Sequence, residues 1–313
     1  MTVAILDGDI IAYRQALIST DTYEDTSIFD PLSVKKNIEI MVNDWSTLAK
    51  AGKTIVALSS NDHRYFRHQI YPDYKGNRSK TERPPALDCA YQSLKDNHDC
   101  VQIDGLEADD IMGIFAGNPD ISDPVIVSID KDMHTVPSMF LNPSKMKRPL
   151  KIREPMADRA MFMQALCGDS TDNYKGLVGV GPVKAAALLD QFPNAASAWP
   201  TIVEAFGDEE EALLMVRLAR ILRFDDWNEK EKEIRLWHPT NKDLWMKLTP
   251  PITKKETSKL STTSSQSAKT SQETKQSVSP TPSNISAVTG KRVRRRKKTL
   301  KRRSGTVTSL SKS

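Results

Sequence analysis

The stretch "DPVIVSIDKD", Asp123 to Asp132, sets an apolar run rich in Val and Ile directly before two acids. Two other stretches share this form, "TVAILDGD" at 2–9 and "KTIVALSSND" at 53–62. Short runs of this kind belong to strands buried on both faces. The helical or loop-like sequence between them fits the crossovers of a parallel α/β sheet. Each run ends at or near an acid, namely Asp7, Asp62 and Asp130. Ligands of open α/β sheets gather at the carboxyl ends of strands. Asp is also common in turns, but three strand ends of one kind weaken that plainer reading.

Further acids gather at other boundaries. "DGLEADDIMGIFAG", 104–117, starts a helix with Ile111, Ile114 and Phe115 as its buried stripe. Glu107 and Asp110 share a helix face there, and Asp109 lies well off it. Acids at a helix start are favoured on electrostatic grounds alone, so this cluster by itself is ambiguous. Asp132 follows Asp130, and Asp169 and Asp172 follow an amphipathic helix over 155–167 that has proline in its first turn and ends at Gly168. Nine carboxylates thus stand at structural boundaries with no Cys or His in the pattern. Hard oxygen donors without soft ones suit Mg²⁺ or Mn²⁺, not zinc. Two such ions a few ångströms apart can activate water and stabilise a leaving oxygen in phosphodiester hydrolysis.

"GLVGVGPVKAA", 176–186, follows the last acids. Gly176, Gly179 and Gly181 allow tight turns, and a helix from Pro182 to Phe192 offers free backbone N–H groups to an anion. No Gly-Lys-Ser/Thr follows, which excludes a Walker loop. The glycines follow a helix instead of a strand, which excludes a dinucleotide fingerprint. A helix-hairpin-helix grip on a DNA phosphate fits; a tight interhelical turn is the plainer alternative. Residues 199–224 read as helical, and Trp227, Trp237 and Trp245 as closing the core, with the folded part ending near 250.

The net charge of +5 averages two unlike parts. Residues 254–313 hold 16 of the 45 Lys and Arg but two of the 40 acids, giving +14 there and −9 over residues 1–253. From Glu256 to Gly290, 17 of 35 residues are Ser or Thr. Such a stretch cannot repay its ordering entropy. It leads to "KRVRRRKKTLKRR" at 291–303, which reads as a disordered phosphate-neutralising arm, a solubility tail or a nuclear-import signal. Cys89, Cys100 and Cys167 have neither paired nor metal-ligand spacing, which fits a reducing compartment. The opening apolar stretch is too short to span a bilayer and lacks a basic signal-peptide start. An intracellular, non-membrane protein is expected.

"LDGD", "DGLEADDIMG", "VSIDKD" and "CGDSTDNYKGLVGVGPVKAAALL" together resemble the flap-endonuclease and 5'-3' exonuclease family, over residues 1 to about 225. The phage-encoded exonucleases and the 5'-nuclease domain of bacterial DNA polymerase I look most similar. The resemblance implies an α/β class, with a parallel-sheet, PIN-like nuclease core at 1–154. A short arch or gateway is implied at about 72–98. A helical DNA-binding subdomain follows at 155–250, with a helix-three-turn-helix at about 160–192, and 254–313 form a disordered linker and basic tail.

Residue by residue, Asp7, Asp62, Glu107, Asp109 and Asp110 match the acids of a first metal site, and Asp130, Asp132, Asp169 and Asp172 those of a second. Asp9 matches a position that is often not acidic and is left out. Two Mg²⁺ ions, with Mn²⁺ as substitute, and K⁺ held by carbonyls of the turn are implied as cofactors. In "HRYFRHQIYPDYKGNRSKTERP", 63–84, Arg67, Lys75 and Arg78 match the family's basic positions and Tyr74 an aromatic one. Lys75 and Arg78 would draw the scissile phosphate inward as catalytic residues, and Tyr74 would stack on a base. Gly176, Gly179, Gly181 and Lys184 would grip duplex DNA. Lys291, Arg292, Arg294, Arg295 and Arg296 of the arm would add phosphate contacts.

The implied activity is metal-dependent hydrolysis from the 5' side of duplex or branched DNA, extending to RNA primers in RNA–DNA hybrids. It implies the cytoplasm of a bacterium or phage-infected cell, and a separate polymerase or single-strand-binding protein as partner. A non-catalytic, structure-specific DNA-binding protein and a PIN-like ribonuclease are the alternatives. The first would lack metal acids; the second would not need the glycine hairpin.

Overall fold

The three apolar runs form the three central strands of one sheet. In the computed structural model of the chain, the described residues are 1–23, 26–80, 82–192 and 195–239. The Ser/Thr-rich segment, the basic arm and Trp245 lie outside them. Strand β1 (Val3–Asp7) leads into α1 (Gly8–Ile18), the antiparallel pair β2 (Thr20–Tyr23) and β3 (Thr26–Phe29), α2 (Pro31–Leu48) and β4 (Lys53–Leu58). Next come the short α3 (Phe66–Ile70), α4 (Leu87–Asn97), β5 (Cys100–Gln102), α5 (Ala108–Gly117), β6 (Pro124–Val127), β7 (Ser138–Leu141) and β8 (Leu150–Ile152). Helix α6 (Glu154–Cys167), the two-residue ladder of β9 (Gly168–Asp169) with β10 (Tyr174–Lys175), and α7 (Pro182–Leu189), α8 (Ala195–Phe206) and α9 (Glu209–Ala219) follow.

The sheet runs β5-β4-β1-β6-β7-β8. All neighbours are parallel except β7 and β8, so the sheet is mixed, a correction to the expected all-parallel core. The cause is local. Residues 142–149 fold back through a turn in which the Lys145 and Met146 N–H groups donate to the Asn142 carbonyl, and this returns β8 antiparallel to β7.

Period-two alternation distributes the strand residues over two cores. Leu6, Val56, Leu58 and Val127 face α1, α2 and α4, where Ile11, Ile38, Val42, Trp45 and Leu94 are buried. Ile5, Ala57, Ile126 and Phe140 face the other way, onto Ile111, Met112 and Ile114 of α5. Each of these large side chains contributes about 1.5–3 kcal/mol when fully buried. A third cluster joins α6, α7, α8 and α9 around Phe162, Trp199 and Trp237. Helix α6 straddles two clusters: Ala157 packs on the sheet side, and Met161 and Phe162 on the helical side. The described residues belong to one compact unit, within which the sheet and the helices α6–α9 share Ala157, Met161 and Phe162 of α6 as packing surface.

Helix α7 ends at Leu189, short of the expected Phe192, and 199–224 divide between α8, α9 and a 3₁₀ turn. Asp208 starts α9 afresh, its carboxylate accepting from the Glu211 N–H. Residues 87–97 of the expected arch are packed down as α4, with Leu87, Ala90 and Leu94 buried against the body. Among the described residues no helix is long and apolar enough to cross a membrane.

Candidate active site

Side chains from four parts of the chain meet above the carboxyl ends of β1 and β6. Asp7 is the last residue of β1 and caps α1, accepting from the Ile10 N–H at 3.0 Å and from Ser128 Oγ at 2.7 Å. The turn is possible because Gly8 has no side chain. A Cβ there would lie 2.5–2.7 Å from Leu58, Val56 and the Ala57 carbonyl of β4. Ser128 also accepts from the Asp130 N–H at 2.9 Å, which ties the acid after β6 to the acid of β1. Asp130 in turn accepts from the Asp132 N–H at 2.8 Å. Glu107 and Asp109 stand at the start of α5. The positive ends of α1 and α5 partly offset the negative charge gathered there.

The charges are unevenly answered. Burial, and then Asp9 and Asp130 nearby, push the Asp7 carboxyl up to about 7. Burial, reinforced by Asp7, Asp130 and Glu107, raises Asp109 well above the ordinary carboxylate range. Burial and Asp130 push Asp132 up to about 6. Glu107 goes the other way. Burial alone would raise it, but Lys75 and Arg67 hold it down at about 2. Lys75 pairs with Glu107 and lies 3.7 Å from Asp172.

On the opposite lip, Asp169 accepts from the Thr171 N–H at 2.6 Å and the Asp172 N–H at 3.3 Å. Asp172 accepts from Arg78 at 2.7 Å and from Tyr74 Oη at 2.9 Å. Gly168, which ends α6 with φ +70°, meets Gly176 so closely that a Cβ would sit 2.2 Å from the Gly176 nitrogen. That contact folds the glycine turn back beside the acids. Gly179 and Gly181 continue it, with the Lys184 amine donating to the Gly179 carbonyl at 2.8 Å and Val178 and Val183 exposed.

Four predicted site residues stand elsewhere than expected. Asp62 is exposed and accepts from Ser60 Oγ and the Arg64 N–H, apart from the other acids, because it lies four positions past the end of β4. Asp110 is fully buried and turned inward, taking both Arg67 nitrogens at 2.7 and 2.9 Å and the Leu222 N–H at 3.0 Å. Arg67 is 3% exposed. It also donates to Glu107 and to the Leu218 and Arg220 carbonyls, which leaves it no face for DNA. Tyr74, also 3% exposed, lies beneath the acids with its hydroxyl shared by Glu107 and Asp172, and it cannot stack on a base from there.

Sequence reading also missed residues. Asp9 belongs to the acid group: it accepts from the Ser59 N–H at 3.2 Å and Tyr91 Oη at 3.3 Å, and burial raises its carboxyl. Its spacing of two from Asp7 was the available signal. Ser59 Oγ accepts from the Ala108 N–H at 2.9 Å and fixes the start of α5. Ser59 and Ser128 are both small polar residues one step past a strand.

A pH dependence follows. Asp7 and Asp132 have folded pKa values above the roughly 4 of an unfolded Asp. The folded state therefore binds more protons between about pH 4 and 7, and stability falls as pH rises through that window. Glu107, held low, contributes stability above its unfolded value that is lost only as pH falls towards 2. Melts in EDTA are expected to show a Tm that declines from pH 5 to pH 8; a rising Tm would contradict this balance of charge.

The family model described as "5'-3' exonuclease, N-terminal resolvase-like domain" matches residues 2–154. The exodeoxyribonuclease of Enterobacteria phage T3 is 26% identical over 280 residues, spanning 76% of this chain and 93% of the relative. The exonuclease of Escherichia phage T7 is likewise 26% identical, over 282 residues, with the same shares. Among solved structures, the bacteriophage T5 flap endonuclease in a pseudo-enzyme-product complex with DNA and metal ions superposes with a TM-score of 0.53 at 19% identity, covering 70% of this chain and 89% of that one. That likeness supports the α/β fold with helical additions.

Proposed function

The chain is a member of the 5'-3' exonuclease and flap-endonuclease family, and on that premise we propose that its acid basin hydrolyses DNA phosphodiester bonds from the 5' side with divalent cations bound. The observation that carries this is the meeting of Asp7, Asp109 and Asp130. They arrive from separate elements, repel one another, and have no ion pair among the described residues.

The donor set fits a hard cation, being all carboxylate oxygen. Among the described residues no three acids stand close enough to enclose an ion unaided. Two of the candidates are meanwhile held by Lys75, Arg67 and Arg78. Asp7, Asp109 and Asp130, with Glu107, would hold one ion, and Asp132, Asp169 and Asp172 a second; Mg²⁺ suits both, with Mn²⁺ as substitute. When bound, such ions supply positive charge at the scissile phosphate.

The chain's own residues do the rest. Lys75 and Arg78 exchange their carboxylate partners for phosphate oxygens and draw the strand to the rim. The sheet is the core of a PIN-like nuclease, and α6, the glycine turn and α7 form a helix-three-turn-helix. The N–H groups at the start of α7, with Lys184, hold a backbone phosphate of the duplex, and carbonyls of the turn suit K⁺. Branched DNA and RNA–DNA hybrids present the same phosphates and belong to the same substrate class. A separate polymerase that supplies such ends is the fitting protein partner.

Asp130→Asn tests the assignment. DNA affinity is expected to stay within about threefold, and cleavage in Mg²⁺ to fall at least about a hundredfold, since several kcal/mol of charge stabilisation depend on the cation site. Full activity in this variant would exclude Asp130, and with it the ion assigned to Asp7, Asp109 and Asp130, from the chemistry. Equal loss of binding and cleavage would assign Asp130 to folding.

A further inference from the structure

The Asp132–Asp169 pair has neutral donors behind it. Gln164, near the end of α6, points its Nε2 between the two acids, 3.1 Å from Asp132 Oδ2 and 3.5 Å from Asp169 Oδ2. These acids come from different places, Asp132 from the turn after β6 and Asp169 from the ladder after α6. Like charges on separate elements drift apart unless something spans them, and the Gln164 amide does so without neutralising either.

Tyr174 stands directly opposite Asp169 in the β9–β10 ladder, so the two side chains share a face. It belongs to the same buried cluster as Met161, Leu166 and Leu189, and it is 2% exposed. Its hydroxyl has no hydrogen-bond partner among the described residues. It lies within electrostatic reach of Asp169, Asp172 and Asp132. A buried hydroxyl without a partner costs stability, and phenylalanine would fill the same space without that cost. The oxygen is therefore unexplained by packing, and the charges of the acids reach it.

Resting on the reading of these acids as a cation site, we propose that Gln164 and Tyr174 are positioning residues that set the Asp132 and Asp169 carboxylates for a divalent ion, Gln164 directly and Tyr174 through one water. Donors behind the ligands orient them and tune their basicity, and losing one such donor typically weakens metal binding about 10–100-fold. A water bridging a phenol and two carboxylates would have the roughly two to four polar partners that a buried water needs.

The test is Mn²⁺ titration of the full chain, followed by calorimetry and by the spin-resonance signal of the free ion, for wild type, Tyr174→Phe and Gln164→Met. The weaker of two Mn²⁺ binding steps is expected to weaken about tenfold in each variant. Tyr174→Phe should melt in EDTA at the wild-type temperature or above it. A purely structural hydroxyl would give the reverse, a lower melting temperature with unchanged Mn²⁺ affinity, and that result overturns the proposal. Gln164→Met keeps the test independent of any folding defect at Tyr174. Wild type that binds Mn²⁺ tightly beside unaffected variants overturns this inference alone. Wild type that binds no Mn²⁺ removes the cation reading itself.

Discussion

Asp109→Asn is expected to be more heat-stable than wild type in EDTA at pH 8 and almost inactive in Mg²⁺. The carboxylate is pushed well above its ordinary range by burial and by Asp7, Asp130 and Glu107. Its charge is therefore a cost to the metal-free fold at any pH where it ionises. Asparagine keeps the shape and removes the charge. A gain on the order of 1 kcal/mol would raise Tm by about 2–4 °C in a unit of this size. The same change removes a ligand oxygen's charge from the cation site, and cleavage should fall at least about a hundredfold. Opposed effects on stability and activity mark a residue kept for chemistry at the fold's expense. Lower stability with full activity would mean that Asp109 serves packing and that the basin has another purpose.

Arg67→Met should damage the fold itself. Arg67 makes two bonds to Asp110, one to Glu107 and two to the carbonyls of Leu218 and Arg220, all buried. It thereby joins α3, α5 and the segment after α9. Methionine fills much of the volume but strands Asp110, and removing one partner of a buried pair costs about 3–5 kcal/mol. Urea denaturation is expected to show a loss of that size, and Arg67→Met/Asp110→Leu should recover part of it, because the orphaned charge is gone. If Arg67→Met folds as stably as wild type and only DNA binding weakens, the residue belongs at the DNA surface, as its sequence pattern suggested.

That pattern explains what sequence could and could not disclose. Val and Ile runs made β1, β4 and β6 legible, because the buried centre of each strand is apolar on both faces. Strands β5, β7 and β8 are three or four residues long, and their sequences, such as "LKI", carry no signal of their own. The neighbouring strands determine them. The acids were legible as a class because nine of one chemical type fell at element boundaries.

Direction was not legible. Glu107, Asp109 and Asp110 look alike in sequence, yet one faces Lys75, one faces the other acids and one is sealed against Arg67. The difference depends on the segment around Leu222, more than a hundred residues away, whose N–H closes on Asp110. Asp9 is passed over because the family position it matches is often not acidic, although its spacing of two from Asp7 points to the site. Its place is set by Ser59 and Tyr91, from the end of β4 and from α4, which no local spacing could bring to it.

The central claim is that the basin cleaves DNA from the 5' side with a divalent cation. Incubating the full chain with a 5'-labelled duplex and a 5'-flap substrate, in Mg²⁺ and in EDTA, tests it most directly. Release of short 5' products in Mg²⁺, abolished by EDTA, is the result this account predicts, and product length then separates exonuclease from flap cutting. Tight binding with no cleavage of either substrate in Mg²⁺ or Mn²⁺ would contradict it, and would leave a DNA-binding protein with an unexplained ring of acids.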